Sequence, residues 1–418
     1  NHKRESVLSV FNRLYPDTVY AAMWERIRRP NERQYGGRSC GLYRSANGGD
    51  SWVELTEGLP FYNKGRIGIN VSQSHPHIVY AIYANEEGYF QGVYKSVNGG
   101  EKWKRVNDGA LYDMYKSYGW WFGNIRVDPN NPNRVYALGL DVFVSDDGGN
   151  SWRNCSASAN VHCDQHGMFI HPLNSNLIML GNDGGVYASA SKAAYWTHRR
   201  GLPITQFYSC SVNARFPNVV YGGTQDNGIV RGATDTPNAW EELLYGDGFK
   251  VLVDPTDSYV IYSSLQYGAL YKSYDGGLTS FEALSGIDKQ EKRNWNTPIL
   301  FDSENPDYLY YGTTRVYQST DGATTWLPVS PILTKVAATN GSSYGTITSI
   351  ATANSKPDLM YVGTDDGQVW QGEVNDTSTW QNIGADLPKR WVSQIAVDPN
   401  NHLSVYVCFS GYRFHDYV

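Results

Sequence analysis

The feature that most constrains this chain is a glycine-rich turn that returns again and again with a tryptophan close behind it. Ser45-Ala-Asn-Gly-Gly-Asp-Ser-Trp52 is the clearest copy, and Ser96-Val-Asn-Gly-Gly-Glu-Lys-Trp103, Ser145-Asp-Asp-Gly-Gly-Asn-Ser-Trp152 and Ser319-Thr-Asp-Gly-Ala-Thr-Thr-Trp326 match it closely. Ser273-Tyr-Asp-Gly-Gly-Leu-Thr-Ser-Phe281 closes on Phe, and decayed copies end at Trp196, Trp240 and Trp380. The closing aromatics fall 41 to 54 residues apart. Ahead of each lies a second signal, Pro-x-x-x-Tyr or a looser version of it, as in Pro16 to Tyr20, Pro76 to Tyr80 and Pro132 to Tyr136. A period in the forties, built from short Val-, Ile- and Tyr-rich segments, is the mark of four-stranded propeller blades. Helical repeats of similar period would need apolar stripes spaced by 3.6 residues, and these are absent. The expected fold is all-β: a β-propeller with four-stranded blades, about eight complete blades plus a partial ninth.

Each unit divides into four strands, A to D. In the second unit the pattern predicts strands over 68–72, 78–83, 92–96 and 102–106. Proline falls in the A–B turn, where its fixed φ helps and its missing N–H costs nothing. The glycine-rich turn joins C to D. Its short side chains, Ser45, Asn47, Ser96, Asn98, Ser145, Asp147, Ser273, Asp275, Ser319 and Asp321, are expected to accept hydrogen bonds from turn N–H groups while the glycines take positive φ. The closing Trp52, Trp103, Trp152 and Trp326 are expected to pack between neighbouring sheets.

These turns resemble the Asp-box, or BNR repeat, of sialidases, xyloglucanase-type glycosidases and the sortilin-type receptor domain. The stretches Tyr20-Ala-Ala-Met-Trp-Glu-Arg-Ile-Arg-Arg-Pro30, Gly181-Asn-Asp-Gly-Gly185, Gly222-Gly-Thr-Gln-Asp-Asn-Gly228 and Gly246-Asp-Gly-Phe249 are similar to a sortilin-like group of large secreted bacterial proteins labelled "glycosyl hydrolase" on repeat similarity. The resemblance implies a secreted, extracellular or cell-surface protein, and further blades ahead of this stretch. Consistent with that, residue 1 is Asn with no charged-then-apolar leader behind it, and the last unit stops after strands over 392–397 and 404–408. The sequence is therefore expected to be part of a longer polypeptide, with the missing blades or self-association completing it. Two layouts stay open: blades 1–4 over 1–203 and blades 5–8 plus the partial ninth over 204–418 as two propellers, or one continuous ring of eight to ten blades over 1–418.

Composition narrows the function. The 418 residues carry 35 Lys and Arg against 41 Asp and Glu, a formal net charge of −6. That balance points away from nucleic acid, whose binders present a basic face. No apolar run approaches the ~20 residues of a membrane span. Five cysteines, Cys40, Cys155, Cys163, Cys210 and Cys408, are too few for a disulfide scaffold. A local Cys155–Cys163 bridge and two free thiols remain alternatives.

In a four-stranded blade the B–C and D–A connections emerge opposite the C–D turns, and here they vary in length, as binding loops on rigid scaffolds do. The B–C loop over 24–40 gathers Arg26, Arg28, Arg29, Arg33 and Arg38. The D–A loop over 107–123 holds Trp120 and Trp121; adjacent residues of a strand face opposite sides, so one would be core and the other free to stack on a sugar or a partner. Asp164 and His166 fall in the next D–A loop, Asp183 in a B–C turn, and Gln225, Asp226 and Asn227 in another. Asp247 precedes Phe249. Pairs among Asp164, Asp183, Asp226 and Asp247 are the candidate catalytic carboxylates, since glycoside hydrolysis needs two flanking a sugar; beside glycine they serve equally as turn residues. Trp120, Trp121, His166, Gln225 and Asn227 are the candidate ligand-binding residues. No zinc, P-loop or nucleophile-elbow pattern is present, and no cofactor is expected, although the acidic turn of Asp365 and Asp366 leaves calcium open. The reading placed first is a secreted or surface propeller with a binding or structural, extracellular-matrix role, holding a polysaccharide or an extracellular protein. Glycoside hydrolysis by a carboxylate pair on the loop face is the alternative.

Overall fold

The structure, a computed structural model, describes residues 4–11, 14–29, 32–157, 160–202, 204–335 and 345–410, with backbone only at 4–11, 28–29 and 32–33. The chain divides into two compact units, Asn1–Leu202 and Pro203–Val418. Eight four-stranded antiparallel sheets follow one another, each in simple A-B-C-D order, and a two-stranded sheet comes last. These are the blades of a β-propeller. Blade 2 comprises Ile67–Val71, Val79–Ala84, Phe90–Ser96 and Lys104–Arg105, within one to three residues of the predicted bounds. Blade 4 comprises Gln165–Ile170, Ile178–Asn182, Gly185–Ser189 and Thr197–His198. Blade 5, the first of the second unit, runs from Phe207–Val212 to Thr236–Leu244. The last sheet pairs Val392–Asp398 with Asn401–Phe409. Blade 1 adds a short hairpin, Ile27–Arg29 with Glu32–Gln34, inside its B–C loop.

Within each unit, strand A of a blade lies mainly against strands A and B of the blade before it. The hydrophobic core is accordingly a series of blade interfaces. Strand B of blade 2 shows how: Val79, Ala81 and Tyr83 face blade 1, and Tyr80, Ile82 and Ala84 face blade 3. A strand alternates faces every residue, so a strand sandwiched between two sheets must be apolar at every position; all six residues are buried.

The Ser-x-Asp turns behave as expected. In blade 3, Ser145 Oγ accepts the N–H of Gly149 at 2.8 Å and donates to Asp147 Oδ1 at 2.8 Å, and Asp147 Oδ1 takes the N–H of Ser151 at 2.9 Å. The same three bonds recur at Ser45 and Asn47, at Ser96 and Asn98, at Ser273 and Asp275, and at Ser319 and Asp321. Blade 4 keeps the turn with altered residues: Ser191 stands where the acid would be, and Lys192 and Ala193 take the positive φ otherwise given to glycine. Blades 5 and 8, the other decayed copies, replace it by a tight hairpin, with Ala233 paired to Thr236 and Glu373 to Asp376. Each intact turn also bonds to the A–B turn of its own blade, as Gly99 N–H does to His77. The A–B and C–D turns thus share one end, and the B–C and D–A loops occupy the other.

The two repeat aromatics staple neighbouring blades in opposite directions. The Pro-x-x-x-Tyr hydroxyl reaches forward: Tyr20 to the Gly99 carbonyl at 2.9 Å, Tyr80 to Pro132 at 2.9 Å, Tyr136 to Lys192 at 3.4 Å and Tyr221 to Gly276 at 3.4 Å. The closing indole reaches back to the residue just after strand D of the preceding blade: Trp196 to Cys155 at 2.9 Å, Trp326 to Ala283 at 2.9 Å and Trp380 to Val329 at 3.3 Å. Trp103 is buried between blades 1 and 2, and Trp152 packs against the core between blades 2 and 3. Three closing positions depart from the expected burial. Trp52 and Trp240 are 42 % and 46 % exposed. Phe281 has no indole N–H to anchor it and points into solvent.

The alternative of a Cys155–Cys163 bridge is ruled out: both thiols are free. Cys155 is buried, its thiol donating to the Val142 carbonyl, whereas Cys163 sits exposed. Among the described residues no helix is long and apolar enough to cross a membrane.

Two predictions follow from this stapling. Trp326→Ala removes a wholly buried indole and its interblade bond and is expected to cost about 3–5 kcal/mol, against about 1 kcal/mol or less for Trp52→Ala, read from urea unfolding. The turn acids Asp147 and Asp275 are each held down at about 2, chiefly by the side-chain hydroxyls of Ser151 and Thr279. Their folded values lie below the ordinary carboxylate value of about 3.9, so the stability they add is present above that value and lost as pH falls from there toward 2. Asp147→Asn with Asp275→Asn, which copies the natural Asn47 and Asn98 turns, is expected to flatten that part of the acid-unfolding curve.

Candidate functional site

On the loop end of the first unit, aromatic side chains from three separate segments meet. Trp24 closes strand B of blade 1 (Val19–Glu25) and donates its indole N–H to the Tyr35 carbonyl at 2.7 Å. The Arg26 and Arg66 guanidinium groups lie 5.0 and 5.8 Å from the Trp24 ring, within cation–π range. Tyr35 stacks on Trp120 at 4.7 Å and 12°, and the Trp120 and Trp121 rings are 5.6 Å apart. Trp121 then meets His166 edge-on at 5.8 Å. The pair Trp120–Trp121 lies in a turn, not a strand, so its two faces are not set by pleating. The Arg66 side chain fixes that turn by donating to the Trp121 carbonyl. The outcome still divides them: Trp120 packs on the core and Trp121 is 43 % exposed.

The run ends on a pair of acids. His166, second residue of strand A in blade 4, sits at a register shift between Gln165 and Gly167, and its Nε2 lies 2.8 Å from Asp183 Oδ1. Asp183 tips the two-residue B–C turn between the paired Asn182 and Gly185. Only glycine fits next to it, because a Cβ on Gly184 would fall 2.4 Å from that of His162. Asp164, with φ of 68°, brings a carboxylate oxygen within 4.8 Å of one on Asp183. Burial raises the Asp164 carboxyl above its ordinary range, and the neighbouring Asp183 charge adds to the rise. Gln165 is buried beneath them and donates to the Leu140 and His162 carbonyls, which locks the loop.

In the second unit, Asp226 and Asp247 meet differently. Asp247 Oδ1 accepts the Asp226 N–H at 3.0 Å, and Asp226 takes a left-handed φ of 62°. Gln225 Nε2 donates to Asp226 Oδ2 at 3.2 Å, and Asn227 donates back to the Gln225 carbonyl at 3.1 Å. This network ties the B–C turn of blade 5 to the D–A loop, and it accounts for Gln225, Asp226, Asn227 and Asp247 as turn supports. Beside it Tyr208 stacks on Phe249 at 4.5 Å, and Trp295 meets both Phe249 and Tyr267 edge-on. The acidic turn of blade 8 is likewise engaged. Asp365 Oδ1 accepts the Gly345 and Thr346 N–H groups, and Asp366 Oδ2 accepts that of Lys335.

Within the first unit the structure thus brings Trp120, Trp121, Asp164, His166 and Asp183 together. The arginine cluster contributes Arg26 to the platform and Arg38 to a neighbouring groove; the side chains of Arg28, Arg29 and Arg33 lie outside the described residues. Tyr35 and Trp24 were missed by sequence reasoning. Tyr35 follows the arginine run of its loop, and nothing local marks it as the partner of a tryptophan 85 positions later.

No protein family matches this chain, and no curated protein does. Solved structures similar to it include the GH74 enzyme of Niastella koreensis, with 14 % identity over 96 % of this chain and 69 % of that one, at a TM-score of 0.35. The GH74 xyloglucanase of Xanthomonas campestris shares 15 % identity over 94 % of this chain, which spans 64 % of that enzyme, at 0.35. YCF48, solved bound to a D1 peptide, shares 14 % identity over 77 % of this chain and 94 % of that one, at 0.33.

Asp164 tests the electrostatics. Its raised value favours the protonated form in the fold, so its contribution to stability is full below the ordinary carboxylate pKa of about 3.9 and is lost as pH rises through the folded value. Asp183→Asn is expected to bring the Asp164 pKa down without restoring the ordinary value, since burial is the larger cause; carboxyl-carbon NMR titration reads this directly.

Proposed function

We propose that this protein is a secreted or cell-surface propeller of the Asp-box type that binds a glycan on the loop end of its first unit. The observation that carries this reading is the run from Trp24 through Tyr35 and Trp120 to the exposed Trp121, ending on His166, Asp183 and Asp164. A sugar ring presents an apolar C–H face and a rim of hydroxyls. A half-exposed indole suits the first, and adjacent carboxylates suit the second as hydrogen-bond acceptors.

Glycoside hydrolysis is the second reading, favoured by one specific observation. Asp164 is held toward its protonated form beside Asp183, which is paired with His166. A carboxyl held toward its protonated form next to a second carboxylate is what a general acid and its partner require.

One experiment separates the two. The protein is titrated calorimetrically with soluble neutral polysaccharides (a mixed-linkage β-glucan, a galactomannan and a xyloglucan), and reducing ends are counted after long incubation. Binding without release of reducing ends supports the first reading, and Trp121→Ala is then expected to weaken affinity about fivefold or more, roughly 1 kcal/mol. Release of reducing ends that Asp164→Asn abolishes establishes the second. No binding to any polysaccharide overturns both.

A further inference from the structure

The loop end of the first unit carries a second feature that the Trp121 platform does not use. Between blades 1 and 2 lies a cleft of ≈ 750 Å³, and beside it one of ≈ 480 Å³; they share Arg38, Asn63 and Glu86 and so form one groove. Phe61 and Tyr62, in the D–A connection from blade 1, stand along it. Phe61 is 91 % exposed and meets Tyr62 edge-on at 5.5 Å. Glu86 and Glu87 come from the B–C turn of blade 2, with Asn63 Nδ2 donating to Glu86 Oε2 at 2.8 Å. Gln91 lines the same cleft, and its side-chain carbonyl oxygen is shielded from solvent with no hydrogen-bond partner.

The groove and the platform share a wall. The turn that carries Glu86 also carries Gly88, whose carbonyl accepts the Gly119 N–H at 2.6 Å and where a Cβ would lie 3.0 Å from the Trp120 ring. Gly36, next to the Tyr35 that stacks on Trp120, lines the smaller cleft. Aromatic rings therefore stand on both sides of this shared wall, Trp121 on the platform and Phe61 with Tyr62 on the groove.

We infer that this groove is a second carbohydrate subsite, and that the ligand is a neutral polysaccharide lying across both positions rather than a short terminal sugar. The inference rests on the glycan reading of the Trp121 platform. Rings spaced along a polar groove suit successive residues of one chain, stacked on their apolar faces. Among the described residues that line it, the carboxylates Glu25, Glu86 and Glu87 stand against the cation Arg38, a balance that disfavours a polyuronate and accepts hydroxyl hydrogen bonds.

The test compares wild type, Trp121→Ala and the double variant Phe61→Ala with Tyr62→Ala. Probes are mixed-linkage β-glucan and galactomannan, the tetrasaccharides made from them, and alginate as the acidic control. Both replaced rings of the double variant are exposed, so its thermal unfolding is expected to match wild type. The expected result is that wild type binds its preferred neutral polymer at least tenfold more tightly than the matching tetrasaccharide, and that the double variant loses most of that gain. Full retention of polymer affinity by the double variant, with Trp121→Ala still impaired, would overturn the second subsite and leave the platform reading standing. Alginate bound as well as the neutral polymers would overturn the assignment of ligand class. Absence of binding to every saccharide would remove the platform reading and this inference together.

Discussion

Several blades are joined by polar contacts that their own sequence carries in advance: a tyrosine hydroxyl given to the next blade, as from Tyr20, Tyr80, Tyr136 and Tyr221, or a tryptophan N–H given to the previous one, as from Trp196, Trp326 and Trp380. Other copies spend the same groups at home: Tyr310 donates to Asp302 of its own blade and Trp103 to Gly100 of its own turn. Tyr80 meets a carbonyl of blade 3 and Trp326 a carbonyl of blade 6. Burying such groups unpaired would cost more than the net worth of the bonds themselves, so the pairing acts as a registration device. A blade set too high or too low against its neighbour would strand a hydroxyl or an indole N–H in an apolar interface. The cores between the blades then supply the bulk of the stability, as apolar surface leaving water.

This arrangement fixes one end of the blades and leaves the other free. The Ser-x-Asp turns, the A–B turns and the tyrosine staples all sit at the same end, where five copies keep the turn intact. The B–C and D–A connections vary in length instead. They can lengthen into the hairpin of blade 1 or the turns that present Trp120 and Trp121. Function and fold are thus separated along the strand direction, which is how a repeated scaffold can hold a unique site.

The residues that were legible in the sequence are those whose partners are local. Ser145, Asp147 and Gly149 form a closed turn among themselves, so their pattern announces their geometry, and the bonds recur at Ser45, Ser96, Ser273 and Ser319. The alternation of strand B follows from period-two burial in the same way. What the sequence could not show is set by distant contacts. Trp52 and Trp326 close nearly identical turns, yet one is exposed and the other is buried against blade 6. The stack of Tyr35 on Trp120 joins two loops that share no pattern. Asp226 and Asp247 stood among four loop carboxylates that could equally be turn residues, and the sequence could not show that Asp247 accepts the Asp226 N–H.

The same side chain in two settings shows why the site had to be read from surroundings. Asp147 and Asp164 lie seventeen residues apart, and each stands in a connection between strands. Asp147 faces solvent with hydroxyl and N–H donors aimed at its oxygens, so its charge is welcome and its pKa falls. Asp164 is partly buried next to another carboxylate, so its charge is penalised twice and its pKa rises. A donor-rich turn uses the acid as architecture, and no ligand is needed to explain it. A carboxylate that burial and a like charge push toward neutrality has no such local reason to be there. That electrostatic cost falls at the end of an aromatic run on the loop end of the first unit, beside Asp183 and His166.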